Sequence, residues 1–151
     1  MARSYAGGNA QGTNNTSYPF ASVWMAATTI RPKIYEFEIG SSVTPQDYSS
    51  QLKLMRYTTA VPTGGVTAQT GAPLDPGDPA SIANAYFANT GGSTASTVLG
   101  YIGVNMRATF RWVAVPTKEI VVPATNPAGA GFTIAVQSTA YTPDVMIWWE
   151  E

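Results

Sequence analysis

Residues 104–115, VNMRATFRWVAV, alternate between apolar and polar side chains with almost no slips. Apolar residues fill the even positions, and the odd positions as far as 111 are polar and include Arg107 and Arg111. A period of two indicates a strand with one buried face and one exposed face. A chain that contains this stretch is therefore expected to build a sheet with two chemically different faces, and its arginines need a partner on the outer one.

Other stretches repeat the strand pattern. Residues 34–40, IYEFEIG, place two glutamates on one face, and the other face holds Tyr35, Phe37 and Ile39. Residues 52–61 are strand-like, and residues 97–115 predict one long strand with a bulge or bend at its glycines, Gly100 and Gly103. Further candidates, separated by turn residues, are 118–123, 132–140 and 144–151. This hairpin-like spacing favours an antiparallel sandwich or barrel over a parallel α/β fold.

Two short helices are predicted between these strands. Thr44 is suited to cap a helix that begins at Pro45 and lasts one or two turns. Asp78 is suited to cap a second helix in residues 79–89. Its apolar face, which would dock on a sheet, is formed by Ile82, Ala85 and Tyr86.

The start of the chain differs from the rest. Residues 1–17 contain almost nothing apolar, so burial does not offset the entropy lost on ordering them, and we predict a flexible N-terminal arm. Residues 18–151 fit one domain. Within it, the Gly- and Pro-rich residues 62–79 predict a long loop that is functional or held by a partner. The predicted fold is mainly β: an antiparallel β-sandwich or jelly-roll-like barrel with one or two short helices and this arm.

The charge content limits the partners. There are 8 Lys and Arg against 9 Asp and Glu, and charged residues make up 11% of the chain, whereas about 25% is usual for soluble domains. The basic stripe that neutralises phosphates is missing, so we expect no nucleic acid partner. A surface with few charges does little to prevent association, so we expect this protein to bind a partner or to form a multimer. The alternative is an extracellular domain whose surface is simply low in charge.

The composition also excludes several chemistries. The chain has no histidine and no cysteine, which removes Ser-His-Asp and Cys-His catalysis and His-ligated zinc sites. It shows no Gly-rich phosphate loop and no nucleophile elbow. Its N-terminal region has no apolar stretch of the kind found in a signal peptide or a membrane span. We therefore expect no enzymatic activity, no metal or other cofactor and no membrane partner.

Two pairs of carboxylates have spacings that suit catalysis or cation binding. Glu36 and Glu38 leave the same face of a strand about 7 Å apart, which suits glycosidase chemistry or a shared cation. A solvated strand face explains them equally simply. Asp75 and Asp78 offer ligands for calcium, which takes about six to eight oxygens. A helix cap at Asp78 and a Pro-Gly turn that begins at Asp75 explain this pair better.

Arg107 and Arg111 have two candidate partners. Glu36 and Glu38 complete a cross-strand ladder of opposite charges if their strand is a neighbour. The other candidate is an acidic patch on another subunit.

Trp148 and Trp149 are adjacent and point to opposite faces of one strand. One of them is therefore exposed unless both faces are covered. An exposed tryptophan stacks on a sugar ring or anchors a protein interface.

Three segments together resemble small proteins encoded among the head genes of tailed bacteriophages and prophages, of the kind that act as capsid decoration (cement) proteins. These segments are MRATFRWVAVPTKEIVVPAT at 106–125, GFTIAVQSTAYTPDVMIWWEE at 131–151 and LDPGDPASIANAYF at 74–87. The resemblance covers approximately residues 31–151. It implies a structural virion protein, assembled in the host cytoplasm, that binds the outer surface of an icosahedral capsid and stabilises contacts between major capsid subunits. It also implies self-association, with a trimer favoured.

On this reading the arm orders on binding, and an arm of this kind suits strand addition to a neighbour. The candidate contacts with the capsid or with a second subunit are Arg3, Tyr5, Tyr18, Arg107, Arg111 and Trp148. The alternative function is a carbohydrate-binding β-sandwich module of a phage fibre or host-adhesion protein, which requires aromatic side chains clustered on one exposed face. A third hypothesis, a glycosidase that uses Glu36 and Glu38, predicts that Glu36→Gln abolishes hydrolysis.

Overall fold

The fold is that of a computed structural model, which describes residues 2–10, 19–25, 29–42, 47, 49–59, 67–87, 94–124, 129–134 and 142–151. These residues form twelve strands and contain no helix. The strands are β1 (Ser4–Asn9), β2 (Ala21–Met25), β3 (Lys33–Gly40), β4 (Ser49–Thr59), β5 (Thr67–Thr70), β6 (Ala72–Pro73), β7 (Ala83–Phe87), β8 (Thr94–Asn105), β9 (Phe110–Val113), β10 (Ile120–Val121), β11 (Gly129–Ile134) and β12 (Asp144–Glu150).

The strands form two antiparallel sheets. Sheet 1 has the order β10-β3-β12-β1-β6, and β9 also pairs with β3. Sheet 2 has the order β5-β7-β2-β11-β4-β8. Neither sheet closes on itself among the described strands, so the architecture is a sandwich and not a closed barrel. The predicted mainly-β antiparallel sandwich is confirmed.

One apolar core lies between the sheets. Alternate side chains of each strand point into it, as the period of two predicts. Sheet 1 contributes Tyr5, Phe37, Ile39, Ile147 and Trp149, and sheet 2 contributes Val23, Leu52, Ala85, Phe87 and Ala130. Each of these ten side chains is at most 1% exposed.

The helix predicted in residues 79–89 is wrong, because Ala83–Phe87 form strand β7. Ala83, Ala85 and Phe87 are buried, and the residues between them are half-buried. This segment satisfies the helical period and the strand period at once, and pairing with β2 on one side and β5 on the other selects the strand. The helix predicted at Thr44 lies outside the described residues.

The single long strand predicted in residues 97–115 is also wrong. The chain leaves sheet 2 after Asn105, turns, and enters sheet 1 at Phe110. The Asn105 side chain accepts a hydrogen bond from the Arg107 N–H at 2.8 Å, which is the local contact that lets asparagine begin a turn. The alternation of apolar and polar residues continues through the turn, because Met106 and Trp112 pack on the same core from its two sides. The predicted bulge is present one residue before Gly100, where the pairing of β8 with β4 shifts.

Strand β3 contains a second departure from the prediction. Trp148 pairs with Glu36 and Trp149 pairs with Ile34, which leaves Tyr35 as the extra residue of a β-bulge. Ile34 therefore takes the core position that the sequence assigned to Tyr35, which is half-buried.

Part of the predicted arm belongs to the sandwich. Residues 4–9 form β1, which pairs with β12 over its whole length and with β6 on its other side. Tyr5 holds this segment in the sandwich, because it is buried against Trp149 with ring centroids 6.2 Å apart. The polar composition of residues 1–17 did not predict this contact. Residues 11–18 lie outside the described residues.

The predicted loop in residues 62–79 includes two strands, β5 and β6. Gly71 stands between them, at the point where the chain passes from sheet 2 to sheet 1. Asp75 starts a turn, as predicted, since it accepts hydrogen bonds from the N–H groups of Gly77 and Asp78. The prediction of Asp78 as a helix cap is wrong, and its carboxylate instead pairs with Arg3 at 3.2 Å.

A strained turn between β9 and β10 offers a stability test. Thr117 has a φ of 74°, a left-handed conformation that costs a non-glycine residue about 1–2 kcal/mol. Glycine removes this strain but loses more entropy on folding, so we expect Thr117→Gly to raise the free energy of unfolding by about 0.5 kcal/mol. Urea titration measures this gain. Lys118→Gly is the matched control, and it should lower stability; a lower stability of Thr117→Gly would contradict the prediction.

Candidate functional site

The outer face of sheet 1 brings two of the predicted contact residues together with exposed apolar side chains. The strand register places alternate residues of four adjacent strands in two rows across the sheet. One row is Val113, Glu36, Trp148 and Ala6, and the other is Arg111, Glu38, Met146 and Gly8. We call these eight residues the sheet-1 face.

Four of the eight residues of the sheet-1 face, Val113, Trp148, Ala6 and Met146, have apolar side chains. Met146 is 41% exposed and Val113 is 53% exposed, while Trp148 is half-buried. Met146 lies across Gly8, where any Cβ would overlap its sulfur, so the glycine leaves room for this side chain. A partly apolar, exposed surface of this kind is suited to contact another protein.

The charge pair on the face is internal. Arg111 Nε lies 2.6 Å from Glu36 Oε1, and the Glu36 side chain is 15% exposed. The hydrogen bond to Glu36, reinforced by its negative charge, raises the pKa of the Arg111 guanidinium. The predicted cross-strand ladder is thus confirmed for Arg111, which bonds the diagonal neighbour Glu36 although its direct pairing partner is Glu38.

Arg107 does not share this face. It lies in the turn after β8, and its Nε is 2.7 Å from Asp47 Oδ1, with both side chains more than half exposed. The ladder predicted for Arg107 with Glu36 and Glu38 is therefore wrong, because the turn directs the side chain away from β3.

The remaining predicted contacts are distributed elsewhere. Tyr5 is a core residue, 1% exposed, whose hydroxyl donates to the Pro79 carbonyl at 3.2 Å, so it offers no free surface to a partner. Arg3 pairs with Asp78 beside the turn that follows β6. Tyr18 lies outside the described residues.

A cleft of about 520 Å³ opens at one end of the sheet-1 face, and Gly8, Glu38 and Met146 of the face belong to its lining. Its lining includes the side chains of Glu38, Asp144, Asn9, Ser41 and Thr109. No group of three or more acidic, histidine or cysteine residues among the described positions is placed to hold a metal ion. The cleft therefore supplies hydrogen-bonding groups at the border of the face.

The two glutamates of the glycosidase hypothesis have different surroundings. Glu36 is bonded to Arg111, and Glu38 lines the cleft. The hypothesis that they act together in hydrolysis stays a prediction.

Sequence reasoning missed Val113 and Met146 as surface residues. Each has a positional signal: Val113 has the same parity as Arg111 in the alternating stretch, and Met146 has the same parity as Trp148. An apolar residue on the polar parity of a strand is the pattern that marks an exposed binding face.

Comparisons with protein-family models, curated proteins and solved structures give no match for this chain. No helix in the described part of the chain is long and apolar enough to cross a membrane.

Proposed function

We propose that this protein is a structural virion protein that binds the outer surface of an icosahedral phage capsid and stabilises contacts between major capsid subunits. The observation that carries the proposal is the sheet-1 face, a partly apolar surface on the outside of a sandwich, with Val113 and Met146 exposed. In this proposal the face docks on a surface of the capsid protein, and the protein acts by binding rather than by catalysis.

The residue types of the face suit a protein interface. Trp, Met and Arg are enriched in interfaces relative to the rest of protein surfaces. Trp148 is already half-buried on its sheet, so it loses little side-chain freedom when a partner covers it. Arg111 and Glu36 neutralise each other, which leaves Glu38 as the uncompensated charge among the eight residues of the face.

Capsid geometry multiplies a modest single contact. A shell repeats the same site many times, and a protein that joins two such sites gains an effective concentration that one site alone does not provide. A weakly charged face of moderate size is then sufficient for stable attachment.

The carbohydrate-binding alternative has less support. A sugar platform requires aromatic rings presented together on an exposed surface. Of the aromatic side chains whose exposure is described, Tyr101 is the one that is largely exposed, at 59%, and it lies on sheet 2, away from Trp148.

A charge placed on the sheet-1 face should weaken capsid binding. Val113 is 53% exposed, so Val113→Glu should leave the fold intact. An unpaired carboxylate buried in the docked interface should weaken binding by about 2 kcal/mol, or about thirtyfold. Co-sedimentation with emptied, undecorated shells of the encoding phage measures the change.

Leu74→Glu is the matched control, because Leu74 is also 53% exposed and lies outside the face. It should bind as the wild type does. Equal loss in both variants would contradict the assignment of the face. Saturable binding of the wild type to a glycan array, with no binding to shells, would overturn the proposed function in favour of the alternative.

A further inference from the structure

We propose that strand β8 pairs with β8 of a second copy of this chain across a two-fold axis near Gly100, which makes the protein a dimer with one continuous sheet. The pairing is independent of capsid binding. Only its use as a clamp that joins two capsid sites depends on the proposed function.

Strand β8 is unlike the other sheet edges. The remaining edge strands are short: β5 and β9 have 4 residues each, and β6 and β10 have 2 each. β8 has 12 residues, and none of the described strands pairs with its outer side. Proteins protect edges by keeping them short, by placing charges and prolines on them, or by β-bulges. β8 is long and has no charge or proline, and the shifts in its pairing with β4, one of them at Leu99, are the protective feature that it does have.

The residues of β8 suit pairing with an identical strand. In a two-fold pair each strand faces its own sequence, so any charge near the axis would face a copy of itself. β8 contains no charged residue. Val98 and Tyr101, exposed at 42% and 59%, would gain apolar contact, and a Cβ at Gly100 or Gly103 would meet no atom within 4 Å.

The nearest charges on the same sheet lie on the adjacent strand β4, where Lys53 pairs with Tyr101 and Arg56 pairs with Thr97. Two β8 strands would separate each of them from its counterpart in the copy. Three strand spacings are about 14 Å, which exceeds the Debye length of about 8 Å at physiological salt.

The length of the flank also suits a dimer. The 12 residues of β8 extend about 40 Å, which allows a long run of backbone hydrogen bonds between two copies. An apolar groove of about 390 Å³ opens on this flank between the sheets, where Leu99 and Ile102 of β8 lie opposite Phe110 and Trp112 of β9. A second copy seated along β8 would cover it.

Mass measurement tests the pairing. Light scattering over a concentration series should give twice the 16.0 kDa of the chain. Tyr101→Lys should shift the dimer dissociation constant upward by at least tenfold. Leu74→Lys adds the same charge at a similarly exposed site outside both β8 and the sheet-1 face, and it should leave the dimer unchanged. A monomer at all concentrations, a trimer, or equal weakening by both variants would overturn the proposal.

Cross-linking locates the axis. The chain has no cysteine, so single cysteines at Gly100 and Gly103 provide unique attachment points for a short bismaleimide. With the axis near Gly100, the two copies of residue 103 lie about 20 Å apart. Gly100→Cys should therefore cross-link efficiently and Gly103→Cys poorly. Equal cross-linking, or none at residue 100, would overturn the pairing.

The outcomes separate the two proposals. A dimer that fails to bind undecorated shells leaves the β8 pairing standing and overturns the proposed function. A monomer that binds shells does the reverse. In a dimer that binds, Tyr101→Lys should also weaken shell binding through the loss of avidity, and unchanged binding would exclude the clamp.

Discussion

Replacing Gly71 by alanine is expected to lower the free energy of unfolding by about 3 kcal/mol, toward the upper end of the usual cost of overpacking a core. A Cβ at this position would lie 2.8 Å from Cη2 of Trp149, closer still to its Cζ2, and 2.9 Å from Cβ of Ser81. Trp149 cannot move aside easily, because it is fully buried and its indole N–H donates to Ser81 and Glu151. Thermal unfolding should show a melting temperature lower by roughly 10 °C.

Gly103→Ala is the control for this substitution. It adds the same methyl group to a strand, but no atom lies within 4 Å of the added Cβ. Its stability should equal or slightly exceed that of the wild type, because alanine loses less entropy than glycine on folding. If Gly71→Ala and Gly103→Ala had the same melting temperature, the close approach of Gly71 to Trp149 would not be important for stability.

Replacing Glu151 by glutamine is expected to cost about 2 kcal/mol, the range for hydrogen bonds to charged groups. One carboxylate oxygen accepts hydrogen bonds from the Ala83 N–H at 2.8 Å and the Trp149 indole N–H at 3.2 Å, and it also contacts the Ser81 hydroxyl. The other oxygen accepts from the Ile82 N–H at 2.9 Å. An amide nitrogen in place of either oxygen would face a donor with a donor.

Glu150→Gln provides the comparison for Glu151. Glu150 is the neighbouring carboxylate and points to the opposite side of β12, so its neutralisation should change stability by less than about 0.5 kcal/mol. Chemical denaturation of both variants measures the difference. If Glu151→Gln lowered the free energy of unfolding no more than Glu150→Gln does, the Glu151 carboxylate would not hold the start of β7 against β12.

The period of two and the spacing of turn residues predicted an antiparallel sandwich or barrel. Opposite charges on two strand patterns made Glu36 one of two candidate partners for Arg111, beside an acidic patch on another subunit. The pairing of strands was not predictable at this level. Residues 79–89 satisfy both periods, so the neighbours β2 and β5, which are remote in sequence, decide that Ala83–Phe87 is a strand. The turn after Asn105 was hidden because the alternation continues through it, although asparagine is a known turn residue.

The sheet-1 face was predicted in part. Trp148 and Arg111 were candidates from residue type, but their alignment with Val113 and Met146 depends on register across β9, β3 and β12. Tyr5 was assigned to a mobile arm because its surroundings are polar, and its burial depends on Trp149, almost the whole chain away. Long-range contacts of this kind carry no local signal.

The position of β12 has a consequence for how the protein is made. β12 lies between β3 and β1, so the central strand of sheet 1 comes from residues 144–150 while both of its neighbours come from the first 40. During synthesis β1 and β3 each remain unpaired on one side until residues 144–150 have been made, and such long-range pairing is slow. A chain that stops before residue 144 would also lack Met146 and Trp148, so the sheet-1 face forms only after β12 has been added.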